Sequence, residues 1–116
     1  MNAIGEKIDY DVLKTKVRTM NIVDLHNVVS RSGLMRAGSW GFRKPLIVVK
    51  DKIYRFTVSG HHHKGHVYIV LNGMDLFDIY YCSNQGTIKK IVNDVYLEDL
   101  IDALDIDVER IKEYQR

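Results

Sequence analysis

The feature that most constrains the fold of this chain is an alternation of apolar and polar residues in its central part. The alternation covers residues 54–59, 66–71 and 77–81. Successive side chains of a β-strand point to opposite faces, so a period of two predicts strands with one buried face. A β-branched run at 46–49 and a segment at 87–92 predict two more strands. Short turns separate these segments, and we therefore predict an antiparallel meander of four to five strands.

Two sequence signals disagree about the hairpin that follows residue 71. The Asn-Gly pair at 72–73 favours a two-residue loop, because both residues accept positive φ. That loop would place Val67 opposite Asp78. A loop with an odd number of residues instead aligns the apolar residues of 67–71 with those of 77–81. Exposing a whole apolar set costs more than a less favoured turn, so we predict the odd-length loop.

Apolar residues at helical spacing flank the central strands. Spacings of three and four from Tyr10 onward predict a first helix that begins at Asp9 or Tyr10. Asn21 is the predicted N-cap of a second helix, and Gly33 is its predicted end. The predicted architecture is α+β, with N-terminal helices, the β-meander and a C-terminal amphipathic helix in a single domain, residues 1–116.

The C-terminal helix is predicted from one apolar stripe, with Asn93 or Asp94 as its N-cap. The stripe consists of Leu97, Ile101, Leu104, Val108, Ile111 and Gln115. We expect it to pack on the sheet. The alternative is pairing with the same stripe of a second copy, which would make a homodimer. A self-associating structural module is accordingly a further alternative for the function.

The composition is that of an ordinary globular domain, with 46% apolar and 28% charged residues. No apolar run approaches the roughly 18 residues of a membrane-spanning helix, and the N-terminus lacks the basic and apolar segments of a signal peptide. The single cysteine, Cys82, excludes an internal disulfide and suits a reducing compartment. We therefore expect a cytoplasmic protein without a membrane partner.

Charge is distributed unevenly along the chain. Residues 1–66 contain twelve Lys or Arg against five Asp or Glu, whereas residues 67–116 contain five against ten. Such asymmetry indicates either a nucleic-acid partner or a basic face that meets an acidic face of another molecule. If the two halves interleave in space, the charges mix and carry no functional meaning.

The strongest candidate site is the basic segment from Arg31 to Arg55, which also contains aromatic residues. Phosphates attract cations and unpaired bases stack on flat rings, so this segment predicts binding to nucleic acid, or else to an acidic protein. The alternative is an exposed loop whose rings anchor it to the core, and Phe42 and Tyr54 lie in the same segment. The candidate residues are Arg31, Arg36, Trp40, Arg43, Lys44, Lys50, Lys52 and Arg55.

A histidine cluster is the second candidate. His61 and His63 share one face of an extended backbone, and His66 returns on the paired strand. Three imidazoles could hold Zn²⁺ or a similar metal, so the alternative function is a metal-binding protein or a metal-dependent hydrolase. Lys64 within the cluster opposes a bound dication, and no local carboxylate or cysteine completes the set. An ordinary polar hairpin turn is therefore the favoured interpretation.

Evidence for other enzyme chemistry is thin. The chain has no phosphate-binding loop, no dinucleotide fingerprint and no nucleophile elbow. Cys82 is expected to be a small buried apolar residue rather than a nucleophile. His26 is expected to be a core histidine with its hydrogen bonds satisfied. We predict no cofactor and favour a non-enzymatic protein.

One face of the sheet is predicted to be more polar than the other. It is expected to carry Arg55, Thr57, His66, Tyr68, Asp78 and Tyr80. Two hypotheses remain open for this face: it binds bases or a protein, or a helix of the chain covers it.

A resemblance covers about residues 54–104. Residues 54–60 and 64–80 carry the patterns F-x-V-x-G, K-G-x-V and L-N-G-x-D-L-F-D, and Asp-Val-Tyr follows at 94–96. This arrangement resembles small uncharacterised proteins encoded by phages and mobile elements, a group without an assigned activity. The triple histidine is not part of the pattern. The resemblance implies an accessory protein of a phage or plasmid, inside a bacterial cell.

Overall fold

The computed structural model describes residues 3–29, 31, 43–60 and 62–108, with Arg43 described only by its backbone. Within these ranges a single antiparallel sheet has its five strands in chain order, which confirms the α+β class and the meander. The elements are α1 (Tyr10–Lys16), α2 (residues 22–29, with residue 31 also helical), β1 (Arg43–Val49), β2 (Ile53–Ser59), β3 (Lys64–Leu71), β4 (Phe77–Cys82), β5 (Ile88–Val95), a 3₁₀ turn (Leu97–Asp99) and α3 (Leu100–Val108).

The β3–β4 hairpin has the predicted odd-length loop. Leu71 pairs with Phe77 and Ile69 pairs with Ile79, so five residues form the loop. Asn72 organises this loop through its side chain, whose Oδ1 accepts hydrogen bonds from two backbone N–H groups of the loop at 2.9 and 3.2 Å. The apolar alternation therefore overrides the two-residue Asn-Gly turn.

The first apolar layer lies between the sheet and helices α2 and α3. The strands contribute Tyr54, Phe56, Val58, Val67, Ile69, Ile79, Tyr81 and Val95 to this layer. Helix α2 contributes Ile22, Leu25 and Val29, and helix α3 contributes Leu100, Leu104 and Val108. The predicted packing of the C-terminal helix on the sheet is thus confirmed.

A second apolar layer lies on the opposite face of the sheet, beneath α1. It contains Leu13, Ile53, Tyr68, Val70, Cys82 and Ile88. A helix of the chain therefore covers much of the face that was predicted to be polar: Thr57 and Tyr68 are only 3% and 1% exposed. Residues 5–8 extend this cover, because Ile8 N–H donates to the Gly86 carbonyl at 2.9 Å.

The predicted starts of the N-terminal helices are correct. The Asp9 carboxylate accepts from the N–H groups of Asp11 and Val12, and the Asn21 side chain accepts from the N–H of Asp24 at 3.1 Å. Helix α1 is shorter than its apolar spacing suggested, because Val17 already has extended backbone. The predicted end of α2 at Gly33 lies outside the described residues.

The predicted start of the C-terminal helix is wrong. Strand β5 continues to Val95, and Asp94 is held in it by a hydrogen bond from its N–H to the Asp78 carboxylate at 3.0 Å. Asn93 and Asp94 therefore cap no helix. Leu97 lies in the 3₁₀ turn and is 56% exposed, whereas Leu100 is fully buried. None of the helices in the described ranges could cross a lipid bilayer, because none combines sufficient length with an apolar surface.

Candidate polyanion-binding surface

A basic surface forms where the β1–β2 turn meets the C-terminal end of α1. The Lys52 ammonium donates a hydrogen bond to the carbonyl of Lys14 at 3.1 Å. The segment after α1 is tied to the same turn, because Met20 N–H donates to the Asp51 carbonyl at 2.8 Å. We call Lys14, Lys16, Lys50 and Lys52 the basic surface. Two lysine-containing segments that are separated by more than thirty residues are thus neighbours in space.

Only part of this charge is neutralised within the described residues. Lys14 pairs with Asp11 at 3.2 Å, and the neighbouring Arg18 pairs with Asp75 at 2.7 Å. These pairs are largely solvent-exposed, so they are weak and a stronger anion can displace them. Lys16 and Lys50 are exposed, and no ion pair joins them within the part of the chain that the structure describes.

Arg55 extends the cationic character onto the face of the sheet beside α1. It pairs across strands with Tyr68, whose hydroxyl lies 2.8 Å from the hydroxyl of Tyr10 in α1. Burial raises the pKa of Tyr68, and the Tyr10 hydroxyl raises it further, while the Arg55 guanidinium acts in the opposite direction. The Nε of Arg55 is buried and has no hydrogen-bond partner among the described residues. A buried donor without a partner is costly.

His66 and Thr57 border Arg55 on the same face. Their side chains form a hydrogen bond of 3.0 Å between Oγ1 and Nδ1, and the His66 ring packs edge-on against Tyr68 with centroids 6.3 Å apart. The side chains here are tyrosine, threonine, histidine and arginine, all of which can donate hydrogen bonds. Thr57 and Tyr68 are buried, however, and their hydroxyls already bond to His66 and Tyr10, so Arg55 is the group on this face that adds to the positive charge.

The structure brings some of the predicted basic residues together and separates others. Lys50 and Lys52 lie at the end of β1 nearest α1. Exposed Lys44 lies near the start of β1, about 20 Å away at the usual rise of about 3.3 Å per residue. Arg31 is exposed in the helical segment after α2. Arg36 and Trp40 lie outside the described residues, as does the side chain of Arg43.

Tyr54 does not belong to the predicted binding face. Its ring is 1% exposed in the first apolar layer, and its hydroxyl lies 2.7 Å from Nδ1 of His26. Burial raises its pKa. A ring in this position cannot stack on a base. The same contact gives His26 the hydrogen bond that was predicted for a core histidine.

The histidine cluster is divided between the two faces of the sheet. His63 packs edge-on against Tyr81 of the first apolar layer, with ring centroids 5.3 Å apart, and its Nε2 lies 3.2 Å from the His66 carbonyl. The imidazole of His66 instead contacts Tyr68, which belongs to the second layer. His61 lies outside the described residues. Within the described ranges no group of three His, Cys, Asp or Glu side chains is arranged to hold a metal ion.

Two other titratable side chains, Tyr81 and Cys82, are buried in the core. The Tyr81 hydroxyl donates to the Asp107 carboxylate at 2.9 Å, and Lys90 pairs with the same carboxylate at 2.6 Å, which fixes α3 to β4 and β5. Cys82 is fully buried, and burial raises the pKa of its thiol to about 12. A thiol with this pKa remains protonated at neutral pH, so it is a poor nucleophile.

Sequence reasoning missed Lys14 and Lys16 as members of the basic surface. The signal that could have found them is the alternation of basic residues at 14, 16 and 18, at the end of the predicted first helix. The contact between α1 and Lys52 depends on where α1 packs on the sheet. No local sequence pattern specifies that position. Comparison of the chain with protein-family models, with curated proteins and with solved structures gives no match.

Proposed function

We propose that the protein is a small non-enzymatic accessory protein of a phage or mobile element that binds nucleic acid through the basic surface and the adjacent Arg55. The observation that carries this proposal is the Lys52–Lys14 contact, which joins two basic segments into one surface with exposed Lys16 and Lys50. The resemblance in residues 54–104 supports the phage or mobile-element setting.

The composition of the surface favours contacts with the phosphate backbone. Phosphate contacts supply affinity without sequence information, and they need cations rather than rings. The basic surface consists of lysines, with exposed Asp51 between Lys50 and Lys52, and it includes no aromatic ring on which a base could stack. We expect sequence-independent binding that weakens steeply as salt increases.

Fluorescence anisotropy with labelled single-stranded and double-stranded DNA and RNA tests the proposal. For duplex DNA, the plot of log K against log salt has a negative slope, and its magnitude should decrease by about 0.9 for each phosphate contact that is removed. The double variant Lys16→Gln, Lys50→Gln removes two contacts, so the magnitude of its slope is expected to be smaller by about 1.8.

The matched control is the double variant Lys64→Gln, Lys89→Gln. Both lysines are exposed and lie elsewhere on the sheet, so this variant loses the same net charge. It is expected to bind nearly as the unaltered protein does. Absence of binding to all four nucleic acids at low salt would overturn the proposal, as would equal loss in the two double variants. Competition by polyglutamate but not by nucleic acid would indicate an acidic protein partner instead.

Arg55 can be tested separately. Arginine presents a planar fork of donors to a phosphate, which lysine cannot reproduce. We expect Arg55→Lys to weaken binding while leaving the salt slope nearly unchanged, because the charge is retained. If Arg55→Lys and the unaltered protein bind equally, the guanidinium contributes no specific contact.

A further inference from the structure

Strand β1 forms one edge of the sheet and carries an exposed apolar run. Residues 46–49 are Leu-Ile-Val-Val, and Leu46 and Ile47 are 47% and 50% exposed. Among the described residues, β1 pairs with β2 alone. The pairing of β1 with β2 is irregular between Arg43 and Leu46 and between Ile47 and Val49. The regular section around Leu46 and Ile47, with its exposed apolar side chains, is therefore the part of this edge that is a template for another strand.

The opposite edge of the sheet differs. The start of strand β5 already pairs with the N-terminal segment, because Gly5 N–H donates to the Ile88 carbonyl and Ile88 N–H donates to the Glu6 carbonyl, both at 2.8 Å. The rest of β5 exposes polar residues of the kind that discourage edge pairing: Lys89, Lys90, Asn93 and Asp94. The apolar character of β1 is therefore a property of this edge rather than of the sheet as a whole.

A groove runs between β1 and α2 on the face of the first apolar layer. Its volume is about 230 Å³, and an apolar cavity of about 150 Å³ is enough to hold a benzene molecule. The groove therefore has room for an aliphatic side chain. It is lined by Ile22, Val23, His26, Pro45, Leu46, Ile47 and Tyr54. Val23 projects beside it and is 64% exposed.

We propose that β1 and this groove bind an extended peptide segment of a partner protein, with alternate apolar residues and acidic residues at its ends. The segment adds a strand to the outer edge of β1. Every second side chain of an added strand points to the same face, so its apolar residues enter the groove while its backbone bonds to β1.

The charges around β1 specify the acidic ends. The β1–β2 hairpin, residues 43–59, contains five basic residues and one acidic residue. Exposed Lys44 and Lys50 lie near the two ends of β1. Cations at both ends of an apolar groove favour a peptide with carboxylates at both ends.

The same charges disfavour a second copy as the occupant. Antiparallel pairing of two β1 strands centred on Ile47 would place Lys44 opposite Lys50 of the second copy, and the reverse. Like charges directly opposite each other destabilise paired strands. Nucleic acid is also disfavoured in this groove, because the lining is almost entirely apolar.

Selection of random peptides displayed on phage against the immobilised full chain tests this proposal. We expect enrichment of peptides that alternate β-branched apolar residues and carry Asp or Glu at both ends. Val23→Asp places a carboxylate beside an acidic ligand, so fluorescence anisotropy should show that this variant binds the enriched peptides at least about tenfold more weakly. A tenfold loss of affinity corresponds to about 1.4 kcal/mol. A second variant, Ile47→Gln, is expected to weaken binding without adding charge.

The matched control is Ile106→Asp on α3, where Ile106 is 52% exposed and lies outside the groove. Bound peptide should also slow hydrogen exchange of the β1 amides and leave β5 unchanged.

The proposal fails if no peptide is enriched, if enriched peptides lack acidic residues, or if Ile106→Asp weakens binding as much as Val23→Asp does. Concentration-dependent dimerisation that Ile47→Gln abolishes would instead assign the edge to a second copy. Nucleic-acid binding should be the same in Val23→Asp and in the unaltered protein.

Discussion

Gly65 shows how strongly one residue can constrain a hairpin. It lies buried in β3 with φ of +141°, and a Cβ at this position would lie 2.3 Å from the Cys82 carbonyl oxygen. Strained backbone of this kind costs of order 1–3 kcal/mol, and the clash with the backbone of β4 adds to it. Gly65→Ala should therefore lower the free energy of unfolding by at least about 2 kcal/mol, measured by urea denaturation.

Gly73→Ala is the control for that prediction. A Cβ at Gly73 meets no atom within 4 Å, and the position lies in the exposed loop after β3. Its stability should remain within about 0.5 kcal/mol of the unaltered protein. Equal stability of the two variants would show that β4 accommodates the added methyl group.

His63 predicts a pH dependence of stability. Burial lowers its pKa below the usual 6.5, against the opposing effects of the His66 and Cys82 backbone and the Asp107 carboxylate. The unfolded chain then binds a proton at His63 more readily than the folded chain does. Stability is retained above pH 6.5 and decreases as the pH falls below that value.

Urea denaturation at pH 7.5 and pH 5.5 checks this prediction with His63→Gln as the comparison. Glutamine cannot gain a proton, so the variant should lose less stability than the unaltered protein between the two pH values. The same loss in both proteins would assign the pH dependence to other groups.

At the scale of single elements, α3 shows where periodicity misleads. The stripe from Leu97 has regular spacings of three and four, but a 3₁₀ turn changes the rotation of the chain before the helix begins. The buried face consists of Leu100, Leu104 and Val108. The local pattern identifies the helix correctly and assigns its first buried residue wrongly, because the end of β5 sets the entry point.

Two alanine substitutions measure this difference. Leu100→Ala should cost about 2–5 kcal/mol of stability, as for other fully buried leucines. Leu97→Ala should cost no more than about 0.5 kcal/mol, because the side chain is exposed. Thermal or urea unfolding of both variants provides the test, and a larger cost for Leu97→Ala than for Leu100→Ala would show that Leu97 belongs to the buried face.

The hairpins were easier to predict than the helix boundaries. Apolar alternation in residues 67–71 and 77–81 has one solution that buries both sets, so the register follows from the sequence. Asn72 then has a structural role: its amide donates to Asp78 at 2.9 Å and to Asp94 at 2.8 Å. These three residues hold the end of β5 beside the β3–β4 loop.

At the scale of the whole molecule, the sequence did not predict which segment packs on the second face of the sheet. The spacing from Tyr10 indicates a helix but does not say where that helix packs. Its position follows from distant contacts: Tyr10 with Tyr68, and Lys14 with Lys52. The same contacts create the basic surface, so the candidate site depends on tertiary packing as much as on the basic segment in the sequence.

The shared sheet predicts that both apolar layers unfold together. Ile53 belongs to the second layer and Ile69 to the first, both are fully buried, and their strands are adjacent. Each Ile→Val change should cost about 0.5–1.5 kcal/mol. Because the sheet separates the two side chains, the costs should add within about 0.5 kcal/mol in the double variant.

Far-UV circular dichroism and near-UV tyrosine signals, followed through the same urea titration, check this prediction. Each variant should shift one common transition to lower urea without changing its slope. If Ile53→Val shifted only one of the two signals, the layer beneath α1 would open independently. The basic surface would then be assembled only while that layer is closed, since α1 supplies Lys14 and Lys16.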